Sequence, residues 1–291
     1  MRQDISGETV AVHLSALGVP VVLRASGDRS ADLARAFESA WEWCLDGPPG
    51  EHSDADSVVI EAFLDKDGEA VRIAQGQGLT ASTSTEELMH WLTPLVTTRA
   101  ITSRASSLLM MHACVVSDPV SGASVVLIGP SGAGKTTLAR TLGTEFGYVT
   151  DECAALRDDH TIVPFPKPLS LVTGDAAGIK EQVSPAALGL RRPHAIPRAV
   201  AVLYLDRRAD APASPALTAA RNVQALGLLC PQVSFVGARP EPLKRIVSLL
   251  DACGGLQTVS YREAADLVEI VGGLMEDSSS TTVPTRQGGA S

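Results

Sequence analysis

The residues of this chain best suited to chemistry form one run, Gly129-Pro130-Ser131-Gly132-Ala133-Gly134-Lys135-Thr136, continued by Thr137. A triphosphate needs backbone N–H donors wrapped around its oxygens and a positive helix end behind them. Glycines at 129, 132 and 134 permit a tight turn without Cβ clashes, and the helix that follows adds its N-terminal dipole. Lys135 supplies a point charge for the β- and γ-phosphates, and the Thr136 hydroxyl is placed to ligate Mg²⁺. The context agrees, because the apolar run Val125-Val126-Leu127-Ile128 enters the loop and Leu138-Ala139-Arg140 leaves it as a helix former. Gly129 to Thr137 therefore reads as a site for ATP with Mg²⁺. No Asn-Lys-x-Asp guanine-reading motif and no Leu-Ser-Gly-Gly-Gln-like stretch is present. Those absences argue against a GTPase and a transporter ATPase.

Adjacent acids, Asp151 and Glu152, close a short apolar run sixteen residues after the lysine. Phosphoryl transfer needs charge neutralisation and an aligned nucleophile, and one carboxylate near the γ-phosphate supplies the alignment. Asp151 is the candidate base, although a strand-end carboxylate also caps turns. Glu152 is a candidate metal ligand or a solvated acid. Asp206 ends a second apolar run and competes for the role of acidic Mg²⁺ ligand. His112, on an apolar run, is a catalytic candidate or a satisfied core histidine. Lys167, Lys180, Arg191 and Arg192 are candidate clamps for phosphate or an acidic peptide, and otherwise surface charges.

The run Met111-His112-Ala113-Cys114-Val115-Val116, then residues 125–138, then 148–156, resembles the catalytic domain of HPr kinase/phosphorylase and its shorter bacterial relatives. Some of those relatives accompany peptide natural-product clusters and phosphorylate a lasso-peptide serine. The resemblance implies a P-loop kinase domain of the HPr kinase and phosphoenolpyruvate carboxykinase-like type, acting on a serine-type hydroxyl of a peptide or small protein. It implies that Asp151 takes the hydroxyl proton, that Glu152 stands where the family has a metal-holding aspartate, and that His112 lies beside the phosphates. A homo-oligomer is implied as well. The glycine- and asparagine-containing signature of the reverse, phosphorylase reaction is not found, and residues 169–184 read LSLVTGDAAGIKEQVS in its place. A forward-only kinase is expected. A small-molecule kinase, or a nucleotide-dependent sensor without transfer, remains an alternative reading.

The elements that must position these residues form an α/β arrangement. Residues 1–106 read as a small α+β domain, 107–275 as the P-loop kinase domain, and 276–291 as a flexible tail. In the first part, Val10 to Leu23 holds two β-like runs broken by Gly18. Leu33, Phe37 and Trp41 repeat at helical spacing. Residues 58–64 and 69–75 flank Lys66-Asp67-Gly68 as a hairpin. Ser84 and Glu87 have the form of a capping box opening a helix with Leu88, Leu92 and Leu95 on one face, in which Pro94 is a candidate kink. In the second part, strands are expected over 108–116, 125–128, 148–150, 200–205 and 256–261. Helices are expected after the P-loop, around Leu243 to Leu250, and around Leu267 to Leu274. The proline-rich stretch from Pro164 to Pro197 reads as loop. Trp41, Trp43 and Trp91 are assigned to core or interface.

With 291 residues and 45% hydrophobic side chains, the chain has ample material for a core. A net charge of −9 with no basic cluster beyond Arg191-Arg192 and Arg207-Arg208 disfavours nucleic acid. Five cysteines without CxxC spacing argue against a disulfide framework or a zinc site. No apolar run approaches the roughly 20 residues of a membrane span, and MRQDISGETV has no signal-peptide pattern. A cytoplasmic protein is expected.

Overall fold

The computed structural model describes residues 9–46, 57–172, 178–238 and 240–280. The first elements are β1 (Val10–Ala16), β2 (Val19–Ser26), α1 (Ser30–Ala40), β3 (Val58–Leu64), α2 (Gly68–Gly76), β4 (Thr80–Ser82) and α3 (Thr85–Arg104). β1 and β2 form a hairpin whose tip, Leu17-Gly18, has positive φ at both residues. β3 and β4 then add in parallel, giving the order β1-β2-β3-β4. Helix α1 turns Leu33 and Phe37 inward, and the fully buried Trp41 stacks on Phe37 at 5.4 Å. Ser84 caps helix α3, its hydroxyl accepting from Glu87 N–H as the sequence predicts, and the helix runs on through Pro94 to Arg104. The Glu87 carboxylate, however, binds the Ser82 hydroxyl instead of closing the box.

The predicted hairpin around Lys66-Asp67-Gly68 is a strand followed by a helix. The Asp67 carboxylate accepts from Glu69 N–H and caps α2, which buries Val71 and Ala74. An Asp-Gly pair serves a helix start as well as a turn, and the buried spacing of three residues selects the helix.

The remaining elements are β5 (Leu109–Ser117), β6 (Ala123–Ile128), α4 (Lys135–Leu142), β7 (Gly147–Thr150), β8 (Cys153–Leu156), β9 (Ile162–Val163), β10 (Leu169–Val172), β11 (Lys180–Val183), β12 (Arg198–Arg207), β13 (Ala216–Ala219), α5 (Asn222–Leu229), α6 (Pro242–Ala252), β14 (Leu256–Tyr261) and α7 (Val268–Ser280). The large sheet has the order β13-β14-β12-β6-β5-β8-β9, with β7 also on β5. β14, β12 and β6 are parallel, and β5 runs antiparallel to β6, β7 and β8. The fold is α/β with mixed sheets. The β5–β6 turn is held by Asp118, whose Oδ1 accepts from Val120 N–H at 3.1 Å and Ser121 N–H at 2.6 Å. β10 and β11 pair inside the stretch read as loop. α7 continues through Asp277 to Ser280, beyond the predicted start of the tail; residues 281–291 lie outside the described residues.

Side chains alternate across β5 and sort it between three packing regions. Met111, Ala113 and Val115 pack with Ile246 and Leu249 of α6. On the other face, Cys114 and Val116 pack with Leu138 and Leu142 of α4 and Val271 of α7. Further along that same face, Met110 joins Cys153, Ala155 and Phe165 in the core of the first sheet. The N-terminal elements and α4 thus cover neighbouring parts of one face. His112, between Met110 and Cys114, faces the seam between them.

Phe165 ties the two parts together, fully buried with its ring centroid 6.1 Å from that of Trp41. Phe165→Ala is expected to cost about 3–5 kcal/mol. Urea unfolding should show that loss in one transition reported by both tryptophan fluorescence and circular dichroism, since the core is shared.

Candidate functional site

The loop leaves β6 at Gly129, and α4 begins at Lys135. Gly132 and Gly134 have φ of +84° and +85°, so glycine is required there for backbone conformation. Gly129 is required for space, because a Cβ would lie 2.9 Å from the Ala133 Cβ and 3.2 Å from the Leu205 Cβ. Ala133 N–H donates to the Pro130 carbonyl at 3.1 Å and closes the turn. Lys135 folds back over the loop, its Nζ donating to the carbonyls of Gly129 at 2.7 Å and Pro130 at 2.9 Å. Burial lowers the proton affinity of this ammonium below the ordinary lysine range.

Asp151 and Glu152 occupy the break between β7 and β8, two strands that share β5 as neighbour. The backbone crosses that break pinned to β5, with Ala113 N–H donating to the Glu152 carbonyl at 3.2 Å. Asp151 is 5% exposed and surrounded by donors. Its Oδ2 accepts from the Thr136 hydroxyl at 2.9 Å. Its Oδ1 accepts from the Tyr148 hydroxyl at 3.0 Å and pairs with Lys167 Nζ at 3.0 Å. Lys167 also reaches Glu152 Oε2 at 3.1 Å, while the Glu152 side chain stays 38% exposed.

Lys167 is itself buried, and burial alone would lower its proton affinity. The Asp151 and Glu152 carboxylates overcome that and hold the ammonium above the usual lysine range. Burial, reinforced by the Asp151 carboxylate, drives the Tyr148 phenol well above its ordinary range. The chain brings Lys167 here by running alongside β7: Phe165 N–H donates to the Val149 carbonyl at 3.0 Å, and the Lys167 carbonyl accepts from Tyr148 at 3.2 Å. Pro166 and Pro168 flank the lysine and restrict the backbone on either side.

The phosphate loop, Asp151, Glu152 and Lys167 line a cavity of about 620 Å³. Its far wall comes from the N-terminal part and the β10–β11 pair. His90, Thr93 and Pro94 of α3 contribute, and His90 Nδ1 accepts from Lys180 N–H at 3.2 Å. The Thr93 hydroxyl is buried on this wall without a hydrogen-bond partner. His112 lies at the seam, with Nδ1 3.1 Å from the Glu152 carbonyl. Its proton affinity is lowered by burial and then by the Lys135 charge.

The structure therefore brings together the loop from Ser131 to Thr137, His112, Asp151, Glu152, Lys167 and Lys180. It does not bring Asp206 to the cavity. That carboxylate pairs with Arg208 at 3.1 Å and accepts from Ser260 at 2.8 Å. Arg192 lies over the Trp43 ring at 4.8 Å, and Arg191 binds Tyr148 and Gly143 through its backbone. Trp41 is core, whereas Trp91 is 39% exposed. The parts played by Tyr148 and the α3 wall emerge only from the fold. The spacing Tyr148-x-x-Asp151 is the one local signal for the tyrosine, and nothing local marks the wall.

The Thr136 hydroxyl and two carboxylates are hard oxygen donors of the kind Mg²⁺ takes. No group of three or more His, Cys, Asp or Glu side chains suited to a metal occurs among the described residues. Such a sparse set suits a metal that shares its coordination with substrate phosphates. No helix among the described residues is long and apolar enough to cross a membrane. Neither a protein-family model nor a curated protein matches the chain.

The lowered His112 proton affinity makes stability pH-dependent. As pH falls through the usual histidine value of about 6.5, the unfolded chain takes the proton first. The stability carried by neutral His112 is therefore complete above that pH and is lost as pH drops toward the folded-state value. His112→Gln removes this dependence, so the stability lead of wild type over the variant should shrink between about pH 7.5 and pH 5.5 in paired urea titrations.

Proposed function

We propose that this protein is an ATP- and Mg²⁺-dependent kinase that transfers the γ-phosphate to a serine-type hydroxyl of a peptide or small protein. The observation that carries the reading is the contact between the Thr136 hydroxyl and Asp151 at 2.9 Å, which joins the phosphate loop to an ionisable acid inside one cavity. The loop amides and Lys135 would hold the β- and γ-phosphates, and Thr136 with Glu152 would hold a Mg²⁺ that supplies charge neutralisation. Asp151 takes the acceptor proton as the oxygen attacks phosphorus and the bond to the β-phosphate oxygen breaks. His112 lines the phosphates from the seam.

Support for the acceptor class comes from the resemblance of residues 108–170 to HPr kinase-like enzymes, including those that modify ribosomally made peptides such as lasso peptides. That resemblance also motivates assigning the sheet around β5, β6 and β12 to the HPr kinase and phosphoenolpyruvate carboxykinase-like type. The protein is proposed to work in the cytoplasm, without nucleic acid or membrane, and as a homo-oligomer. A second reading, a nucleotide-dependent sensor, is favoured by one observation. Lys135 caps its own loop carbonyls, so engaging a triphosphate with its ammonium means drawing the side chain off Gly129 and Pro130.

Asp151→Asn separates the two readings. Phosphoryl transfer to products of the neighbouring genes, followed by mass spectrometry with labelled ATP, should fall by about 10²–10⁴-fold while ATP still binds. Undiminished transfer would remove Asp151 from the chemistry, and wild type that binds ATP yet labels no acceptor favours the sensor. Because Asp151 also touches Thr136, Glu152→Gln is the companion variant. Loss of the base lowers kcat at saturating Mg²⁺, whereas loss of a ligand raises the Mg²⁺ requirement.

A further inference from the structure

Lys167 has no task in the phosphate-loop chemistry described above, yet it is 2% exposed and paired with both acids. Burying an ammonium is strongly unfavourable unless partners compensate. Here the compensation is unusually complete, with Asp151 Oδ1 at 3.0 Å, Glu152 Oε2 at 3.1 Å and the Pro168 carbonyl at 3.2 Å. All three are oxygens, the donor type a divalent metal would seek. The ammonium thus sits between two carboxylates that would otherwise repel each other and attract a free cation.

We infer that Lys167 is a positioning residue, a resident cation that keeps Asp151 and Glu152 aligned and excludes free divalent metal, so that Mg²⁺ enters only on the triphosphate. Two further observations support this. The ammonium occupies the point where Asp151 Oδ1, Glu152 Oε2 and the Pro168 carbonyl converge, so a free ion can take those oxygens only by displacing it. The lysine is also held on both sides, its backbone carbonyl by Tyr148 and its chain by flanking prolines, so it cannot swing out to solvent cheaply. A metal that arrives with phosphate oxygens brings its own coordination and the negative charge that Lys167 then faces.

The inference rests on the proposed Mg²⁺-triphosphate site, but its test needs neither nucleotide nor acceptor. Mn²⁺ serves as probe, with the free ion followed by electron paramagnetic resonance during titration of the nucleotide-free full chain at about pH 8, where carboxylates are ionised. Wild type and Lys167→Arg should take up Mn²⁺ weakly. Lys167→Met, which keeps the stem and removes the charge, should bind one Mn²⁺ about tenfold tighter or more. Lys167→Gln repeats the comparison should the methionine variant fold poorly. Equal affinity in wild type and the neutral variants overturns the inference, as does tight one-to-one Mn²⁺ uptake by nucleotide-free wild type. Failure of the kinase reading would show elsewhere, as absent binding of a non-hydrolysable ATP analogue with Mg²⁺.

Discussion

A single buried carboxylate organises this molecule. Asp151 accepts from the loop through Thr136, from the sheet through Tyr148, and from the proline-flanked segment through Lys167. An ionised group at that depth is tolerable only when nearly every lone pair is used, since the energetic penalty of an unpaired buried charge exceeds the gain from any one contact. Each neighbour is consequently obliged to stay where it is. The loop cannot drift from β7 without exposing Asp151 to a dry environment lacking a donor, and the segment after β9 cannot peel away without leaving two acids unneutralised.

The second organising constraint is the division of one sheet face between two covers. α4 and α7 shield the part of β5 near Cys114 and Val116, while the N-terminal sheet and α1 shield the part near Met110. Where the covers meet, neither can fill the space, and His112 occupies the meeting point. The cavity is therefore a by-product of how the covers abut, and α3 belongs to the site although it precedes the phosphate loop by more than a full strand. The N-terminal elements are structural partners of the loop rather than an appendage to it.

Much of this was legible from residue order, and the exceptions have physical causes. Val125 to Ile128 entering a glycine-rich turn before Lys135 could hardly be anything but a strand, loop and helix, and the structure has them. The α/β class, the strands at 200–205 and 256–261, and the helices around Leu250 and Leu274 follow from period alone. Residues 69–75 form a helix where a strand is expected because a short amphipathic helix and a short strand present similar patterns, and only the cap at Asp67 separates them. The pairing of Lys167 with both acids and the α3 wall depend on contacts between residues distant in sequence, about which local pattern is silent. Asp206 shows the reverse: a strand-end acid with the right local look, diverted by Arg208 and Ser260.

The break between β7 and β8 carries a consequence for what changes the chain tolerates. Both strands use β5 as template, so the short step through Asp151 and Glu152 sets parity as well as position. Cys153 and Ala155 face the N-terminal core, whereas Ala154 and Leu156 face the α6 side. One residue added or lost between Thr150 and Cys153 would exchange those two sets and turn every side chain of β8 to the wrong neighbour. Away from Tyr148, Asp151 and Glu152, the segment can therefore change in composition far more readily than in length, and the spacing from Tyr148 to Leu156 behaves as a fixed ruler laid along β5.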